Sequence, residues 1–355
     1  MTKTVETSKW SHRDLFRLAH PKSDDPEFQA LGEWILRGSV SEKTPTLIQG
    51  MVKAHEASAD VPALVREYGL SWEMLPTEAL NSVDVWEALL EKSVPLGALL
   101  RQLPRLTRLG MFPALGGHTA SVVARLKDVE ELRRARIHPI NLLVAHKTYA
   151  SGKSERGSSS WTPNQKIVDA LNDAFYLAFK TVEYPESKNT LIGVDISASM
   201  GWGGNTPLTP AEVAAAMALV ILNTEENAAV YGFASDLVEL PISPSMRLRD
   251  VLRETSNRSF GSTNPGALLE KALKDNLPVE TFIVVTDNEV NTGRHVFQLL
   301  EKYRAQTGIA ARMIVVGVTA TEFSIADPKD PLSLDIAGFD SAAPQLIGDF
   351  SHGLV

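Results

Sequence analysis

Up to about Lys180 the apolar residues recur three and four positions apart, the spacing of an amphipathic helix. The clearest segments are Ala30–Arg37, Pro45–Glu56, Val83–Leu90 and Lys166–Phe179, separated by short breaks such as Asp24-Asp25-Pro26 and Gly116-Gly117. Ser11, followed three residues later by Asp14, resembles a capping box and predicts a helix start at His12. No strict repeat period is visible. Many short helices in series nevertheless predict an α-solenoid or an irregular helical array.

Near Glu183-Tyr184-Pro185 the period changes. Nearly continuous apolar runs follow at Leu191–Ile196, Ala228–Phe233, Thr281–Thr286 and Arg312–Val318. Such runs read as parallel strands buried on both faces. Helical stretches lie between them at Pro210–Leu222, Pro265–Leu273 and Arg294–Tyr303, and alternating β and α predicts a doubly wound sheet. The expected division is therefore a helical module over residues 1–186 and an α/β domain over residues 187–355.

Three polar pieces fall where such a sheet gathers its ligands, beyond the carboxyl ends of its strands. Asp195-Ile-Ser-Ala-Ser199 follows the first strand, Gly261-Ser-Thr263 precedes a helix, and Thr286-Asp287 closes a strand. Each piece alone is a common polar loop. Together, Asp195, Ser197, Ser199, Thr263 and Asp287 offer hydroxyl and carboxylate oxygens suited to a divalent cation, magnesium above all. Neutral hydroxyls leave such an ion undercompensated, so an external carboxylate or phosphate can take its open position.

Enzyme readings find no support in the same residues. A phosphatase with an aspartyl nucleophile usually needs a second acid two residues on, where this chain has Ser197. Neither Ser197 nor Ser199 sits in the Gly-x-Ser-x-Gly elbow of a serine hydrolase. Gly152-Lys153-Ser154 resembles the end of a phosphate-binding loop, but Lys147 replaces its upstream glycine.

Charge changes the picture more than composition does. Residues 1–188 hold 24 Lys and Arg against 23 Asp and Glu, whereas residues 189–355 hold 11 against 20. Within the first part, Arg101–Arg156 holds 11 basic and 4 acidic residues, a basic stripe of the kind that marks a phosphate-binding surface. The absence of cysteine excludes disulfides and thiolate metal sites. No run approaches the roughly 18 apolar residues of a membrane span, so no membrane partner and a cytoplasmic location are expected.

The motifs also resemble a known family. Val194-Asp-Ile-Ser-Ala-Ser-Met200, Phe282-Ile-Val-Val-Thr-Asp-Asn-Glu289, Phe323-Ser-Ile-Ala-Asp-Pro328 and Asp335-Ile-Ala-Gly-Phe-Asp340 are similar to segments of the Ro autoantigen family. So are Trp10-Ser-His-Arg-Asp-Leu-Phe-Arg-Leu-Ala-His20, Ala135-Arg-Ile-His-Pro139, Lys147-Thr-Tyr149 and Asp173-Ala-Phe-Tyr176. The resemblance implies an α-helical HEAT-like module (TROVE) followed by a von Willebrand factor A domain. It implies binding of small non-coding Y-like RNAs on the outer helical surface, and of single-stranded ends of structured or misfolded RNAs in a basic cavity. It also implies direct metal contact by Ser197, Ser199 and Thr263, with Asp195 and Asp287 acting mostly through water.

Family members carry a further helical stretch before the segment matching Trp10, so the chain reads as N-terminally shortened. A closed one-chain ring is then not expected. Self-association, or a partner chain supplying the absent repeats over the face near Leu15, Phe16 and Phe28, is expected instead.

Arg13, Arg17 and His20 share one helical face by spacing, which by itself suits a solvated surface. The resemblance assigns them, with Lys22, to RNA phosphates. Arg133, Arg134, Arg136, His138 and Lys147 form the denser cluster, open either to RNA contact or to satisfying helix C-termini. Arg101, Arg105 and Arg108 are interrupted by Pro104, a candidate start of a new helix. Tyr149 and Trp161 could stack bases or lie buried. The expected function is non-catalytic RNA binding of the Ro type. The rivals are an adhesion module whose metal captures an acidic protein ligand, and a metal-dependent hydrolase.

Overall fold

A computed structural model describes residues 10–154, 157–184, 186–203, 207–256, 263–287, 296–319, 326–327, 329–340 and 342–355. Arg156, Pro185, Gly261, Ser262, Asn288, Glu289, Arg294, Phe323, Ser324, Ile325 and Pro328, which figure in the motifs above, lie outside the described residues. The chain divides into two units between Gly117 and His118.

The first unit is helical: α1 (His12–Ala19), α2 (Pro26–Arg37), α3 (Thr46–Ala54), α4 (Val61–Tyr68), α5 (Val83–Glu91) and α6 (Leu96–Arg108). Its helix ends follow from local chemistry. Ser11 Oγ accepts the Asp14 N–H at 3.1 Å and Asp14 Oδ2 accepts the Ser11 N–H at 2.8 Å, completing the predicted capping box. Asp25 and Asp60 cap α2 and α4, each with proline in the first turn, and both helices stop at a left-handed glycine, Gly38 and Gly69. Where α3 meets α4, a Cβ at Gly50 would lie 2.3 Å from Tyr68 Cγ, so only glycine lets the two helices approach. The core of the unit is Val65, Trp86, Leu89, Leu99, Leu103 and Leu106, with Trp86 Nε1 donating to the Leu80 carbonyl at 2.8 Å.

Pro104 does not begin a new helix. It lies inside α6, because burial of Leu96, Leu99, Leu103 and Leu106 along one face outweighs the hydrogen bond that proline removes. At the other end of the unit, α1 buries no residue, and Leu15 and Leu18 are exposed beside the stacked pair Phe16 and Phe28.

The second unit begins with four more helices, α7 (Thr119–Lys127), α8 (Val129–Ala135), α9 (Pro139–Ala150) and α10 (Gln165–Leu177). Then come β1 (Thr190–Asp195), α11 (Pro210–Thr224), β2 (Ala228–Phe233), β3 (Leu237–Glu239), α12 (Leu248–Ser256), α13 (Ala267–Asp275), β4 (Thr281–Thr286), α14 (Val296–Thr307), β5 (Arg312–Gly317), β6 (Ser333–Ala337) and α15 (Ala343–Ser351). The strands start where the sequence predicts. Helices α7–α10 belong with the sheet: Tyr176 of α10 accepts the Leu248 N–H at 3.0 Å, and the Arg247 guanidinium lies 4.3 Å over its ring.

The sheet order is β3-β2-β1-β4-β5-β6, all parallel except the β2–β3 pair. From β1 the chain runs to β2 on one side and later to β4 on the other, which makes the β1–β4 crevice the topological switch point. Burial of every residue of β1 and β4 explains their unbroken apolar runs. The expectation missed β3, which spans three residues, and β6, a half-buried edge strand.

Candidate functional site

The register pairs Val194 of β1 with Val285 of β4, so the next residues, Asp195 and Thr286, emerge side by side at the switch point. Thr286 Oγ1 donates to Asp195 Oδ2 at 2.7 Å, and the Ser197 N–H donates to Asp195 Oδ1 at 2.8 Å. Ser197 Oγ and Ser199 Oγ lie 3.0 Å apart on the turn after β1. Asp287 follows Thr286, and its carbonyl accepts both the N–H and the hydroxyl of Thr319 at 2.9 Å. Thr263 is held beside β2, because the Asn264 N–H donates to the Ala234 carbonyl at 3.0 Å. Asp195, Thr263 and Asp287 are buried, Ser197 is half-buried and Ser199 is exposed.

Burial pushes the Asp195 carboxyl above the usual range. Its hydrogen bonds from Ser197 and Thr286 pull the other way, while the nearby Asp287 charge adds to the rise. Two acids close together out of water call for a positive charge. Among the described residues no group of three or more His, Cys, Asp and Glu could hold a metal ion, and the oxygens beside the two acids here are the hydroxyls of Ser197, Ser199 and Thr263. That donor set fits a hard ion such as magnesium. A cleft of about 120 Å³ lies behind the turn, lined by Asp195, Ser197, Met200, Ala211, Ala214 and Thr255.

The basic candidates separate into groups. Arg13, Arg17, His20 and Lys22 are all exposed on and just after α1, with Arg13 Nε donating to the Ile35 carbonyl at 3.3 Å. Arg134 and Arg136 are exposed at the end of α8, where Arg136 takes the left-handed capping conformation. Arg133 is ion-paired with Glu130 and Glu183 and also donates to the Lys180 carbonyl at 3.1 Å, the helix-end role left open above. Lys147 is paired with Glu212 at the start of α11.

His138 does not join this surface. It is 6% exposed, caps α9 through the Ile140 N–H, and burial pulls its imidazole down to about 4, so it is neutral and out of reach of a phosphate. Tyr149 and Trp161 are also buried, stacked on one another, with Trp161 Nε1 donating to the Tyr149 carbonyl at 2.8 Å. They serve the core and do not stack bases.

Sequence reasoning placed Thr286 at the end of a strand beside the site but gave its hydroxyl no role there. Its signal was a hydroxyl at the end of an apolar strand, meaningful only once the register is known. It also missed a second buried cluster. There Glu225 at the end of α11 accepts the Lys188 N–H at 2.7 Å and meets His352 Nε2 at 3.0 Å, while Tyr184 stacks on His352 at 3.8 Å.

A helical module joined to a doubly wound sheet, with acids and hydroxyls at its switch point, defines a protein that pairs a helical-repeat region with a von Willebrand A-type domain. The chain matches the Ro60 vWA domain over residues 189–351 and the TROVE domain over residues 67–148. It belongs to the Ro family. The RNA-binding protein RO60 of Caenorhabditis elegans is 36% identical, with 100% of this chain and 63% of that protein covered. The RNA-binding protein RO60 of Deinococcus radiodurans is 39% identical, with 98% and 66% covered. The crystal structure of the Deinococcus radiodurans RO (RSR) protein superposes with a TM-score of 0.88 at 39% identity, over 98% of this chain and 71% of that one. The chain thus spans about two thirds of the length of these curated relatives.

Proposed function

We propose that this chain is a non-catalytic RNA-binding protein that takes small non-coding RNA and the single-stranded ends of structured or misfolded RNA. The observation that carries the reading is its kinship, along its whole length, with proteins named for RNA binding. The exposed cations Arg13, Arg17, His20, Lys22, Arg134 and Arg136 supply a physical basis. Phosphate contacts of this kind give affinity, while shape and single-strandedness give preference. Sequencing of RNA that co-purifies with the protein from its host tests the reading. Enrichment of small structured RNAs with unpaired ends is the expected outcome, and no enrichment over a mock purification contradicts it.

The second part of the proposal is a magnesium site in which Ser197, Ser199 and Thr263 hold the ion and Asp195 and Asp287 balance its charge. A bound ion would supply an electropositive point with room for one external carboxylate or phosphate oxygen. The rival adhesion reading, with an acidic protein ligand at that position, is favoured by one observation: Ser199 is exposed while the acids behind it are buried. Metal-dependent capture of an acidic protein with no RNA in the purified material would favour it over RNA binding.

A further inference from the structure

We infer that Thr286 is the positioning residue of the metal site, an assignment that rests on the magnesium reading above. Thr286 is fully buried at the end of β4, and Asp195 is 2% exposed at the end of β1. Strand register alone brings them together, since Val194 and Val285 are paired immediately before them. The Thr286 hydroxyl donates to Asp195 Oδ2 at 2.7 Å, while the Ser197 N–H donates to Oδ1 at 2.8 Å. One oxygen is therefore tied to the carboxylate's own loop and the other to the neighbouring strand. That pair of bonds fixes both the direction and the tilt of the carboxylate.

The same hydroxyl lies 3.5 Å from Asp287 Oδ1. It has one proton, and the shorter contact takes it. Thr286 therefore gives its proton to Asp195 and keeps only a long contact with Asp287. Such a hydroxyl touches no metal, yet it sets where the Asp195 carboxylate stands. Partners behind the ligands typically change metal affinity by about 10- to 100-fold when removed.

Thr286→Val keeps the volume of the side chain and removes the donor, and Thr286→Ser keeps the donor and removes a methyl. The test is calorimetric titration of manganese into the full chain for the parent, Thr286→Val, Thr286→Ser and Asp195→Ala, with near-ultraviolet dichroism to confirm folding. We expect the parent to bind, Thr286→Val to bind about tenfold or more weakly, and Thr286→Ser to return to within about threefold of the parent. Thr286→Val binding as well as the parent, or Thr286→Ser binding as poorly as Thr286→Val, would overturn the assignment while leaving the metal site standing. A parent that binds no better than Asp195→Ala would remove the magnesium reading and this inference with it. Should Thr286→Val not fold, a crystal structure of the manganese-loaded parent decides. Oγ1 to Oδ2 within hydrogen-bond distance supports the role, and a separation beyond it overturns it.

Discussion

Glu225 and His352 are both almost fully buried, and each belongs to a different helix end. Glu225 also accepts the Lys188 N–H and the Ser187 hydroxyl, and His352 Nδ1 meets the Gly348 carbonyl at 2.8 Å. A Cβ at Gly348 would lie 1.6 Å from the Tyr184 hydroxyl, so glycine is required for Tyr184 to cover the pair. Burial works against the charged imidazole and Lys188 adds to that, but the bonds to Glu225 and Gly348 prevail and the His352 pKa is raised. The stability this gives is fully present below the unfolded value near 6.5 and is lost as pH rises through the higher folded value. Chemical denaturation of the parent and His352→Gln across that window should therefore show the parent losing stability with rising pH and the variant losing less. Parallel curves would contradict the assignment. Glu225→Ala strands a buried cation and should cost about 3 kcal/mol or more at pH 6, read from the same denaturation curves.

α1 shows what an element can and cannot announce. Its capping box was legible because it depends only on neighbours along the chain, whereas His20, expected on one face with Arg13 and Arg17, lies just past the helix end in the left-handed conformation. Double replacement, Arg17→Ala with His20→Ser, should weaken RNA binding and flatten its salt dependence, each lost phosphate contact lowering the logarithmic slope by about 0.7 to 0.9. An unchanged slope in filter binding would return these residues to an ordinary solvated face. The strands β1 and β4 were equally plain, since burial on both faces leaves an unbroken apolar run. β6 was not, because a half-buried edge strand need not be apolar. α9 has apolar residues nearly all round and so lacks a stripe to detect. The acids and hydroxyls at the switch point stood out by their motif spacing, whereas the cluster of Tyr184, Glu225 and His352 has no spacing signature and exists only through packing. His138 reads as one more cation in sequence and turns out to be a neutral cap.

Across the whole molecule, the net negative charge lies after residue 188, where bases are few, and the basic stripe lies before it. No described helix is long and apolar enough to cross a membrane. An acidic α/β domain repels a polyanion at long range, so the residues proposed to hold magnesium should matter little to RNA affinity. Ser199→Ala with Thr263→Ala should abolish manganese binding while changing RNA affinity by less than about threefold, or ~0.7 kcal/mol. A tenfold loss of RNA affinity in that folded variant would place the RNA at the metal site instead.

A salt series bears on RNA binding itself. The full chain is mixed with a small structured RNA carrying a single-stranded 3′ tail, and the gel shift is followed from about 50 to 200 mM salt, a range over which several phosphate contacts change affinity by orders of magnitude. We expect a complex at low salt whose affinity falls steeply and linearly on logarithmic axes, and which weakens when the tail is removed. No complex at the lowest salt, or one indifferent to both salt and tail, would contradict RNA binding by this chain.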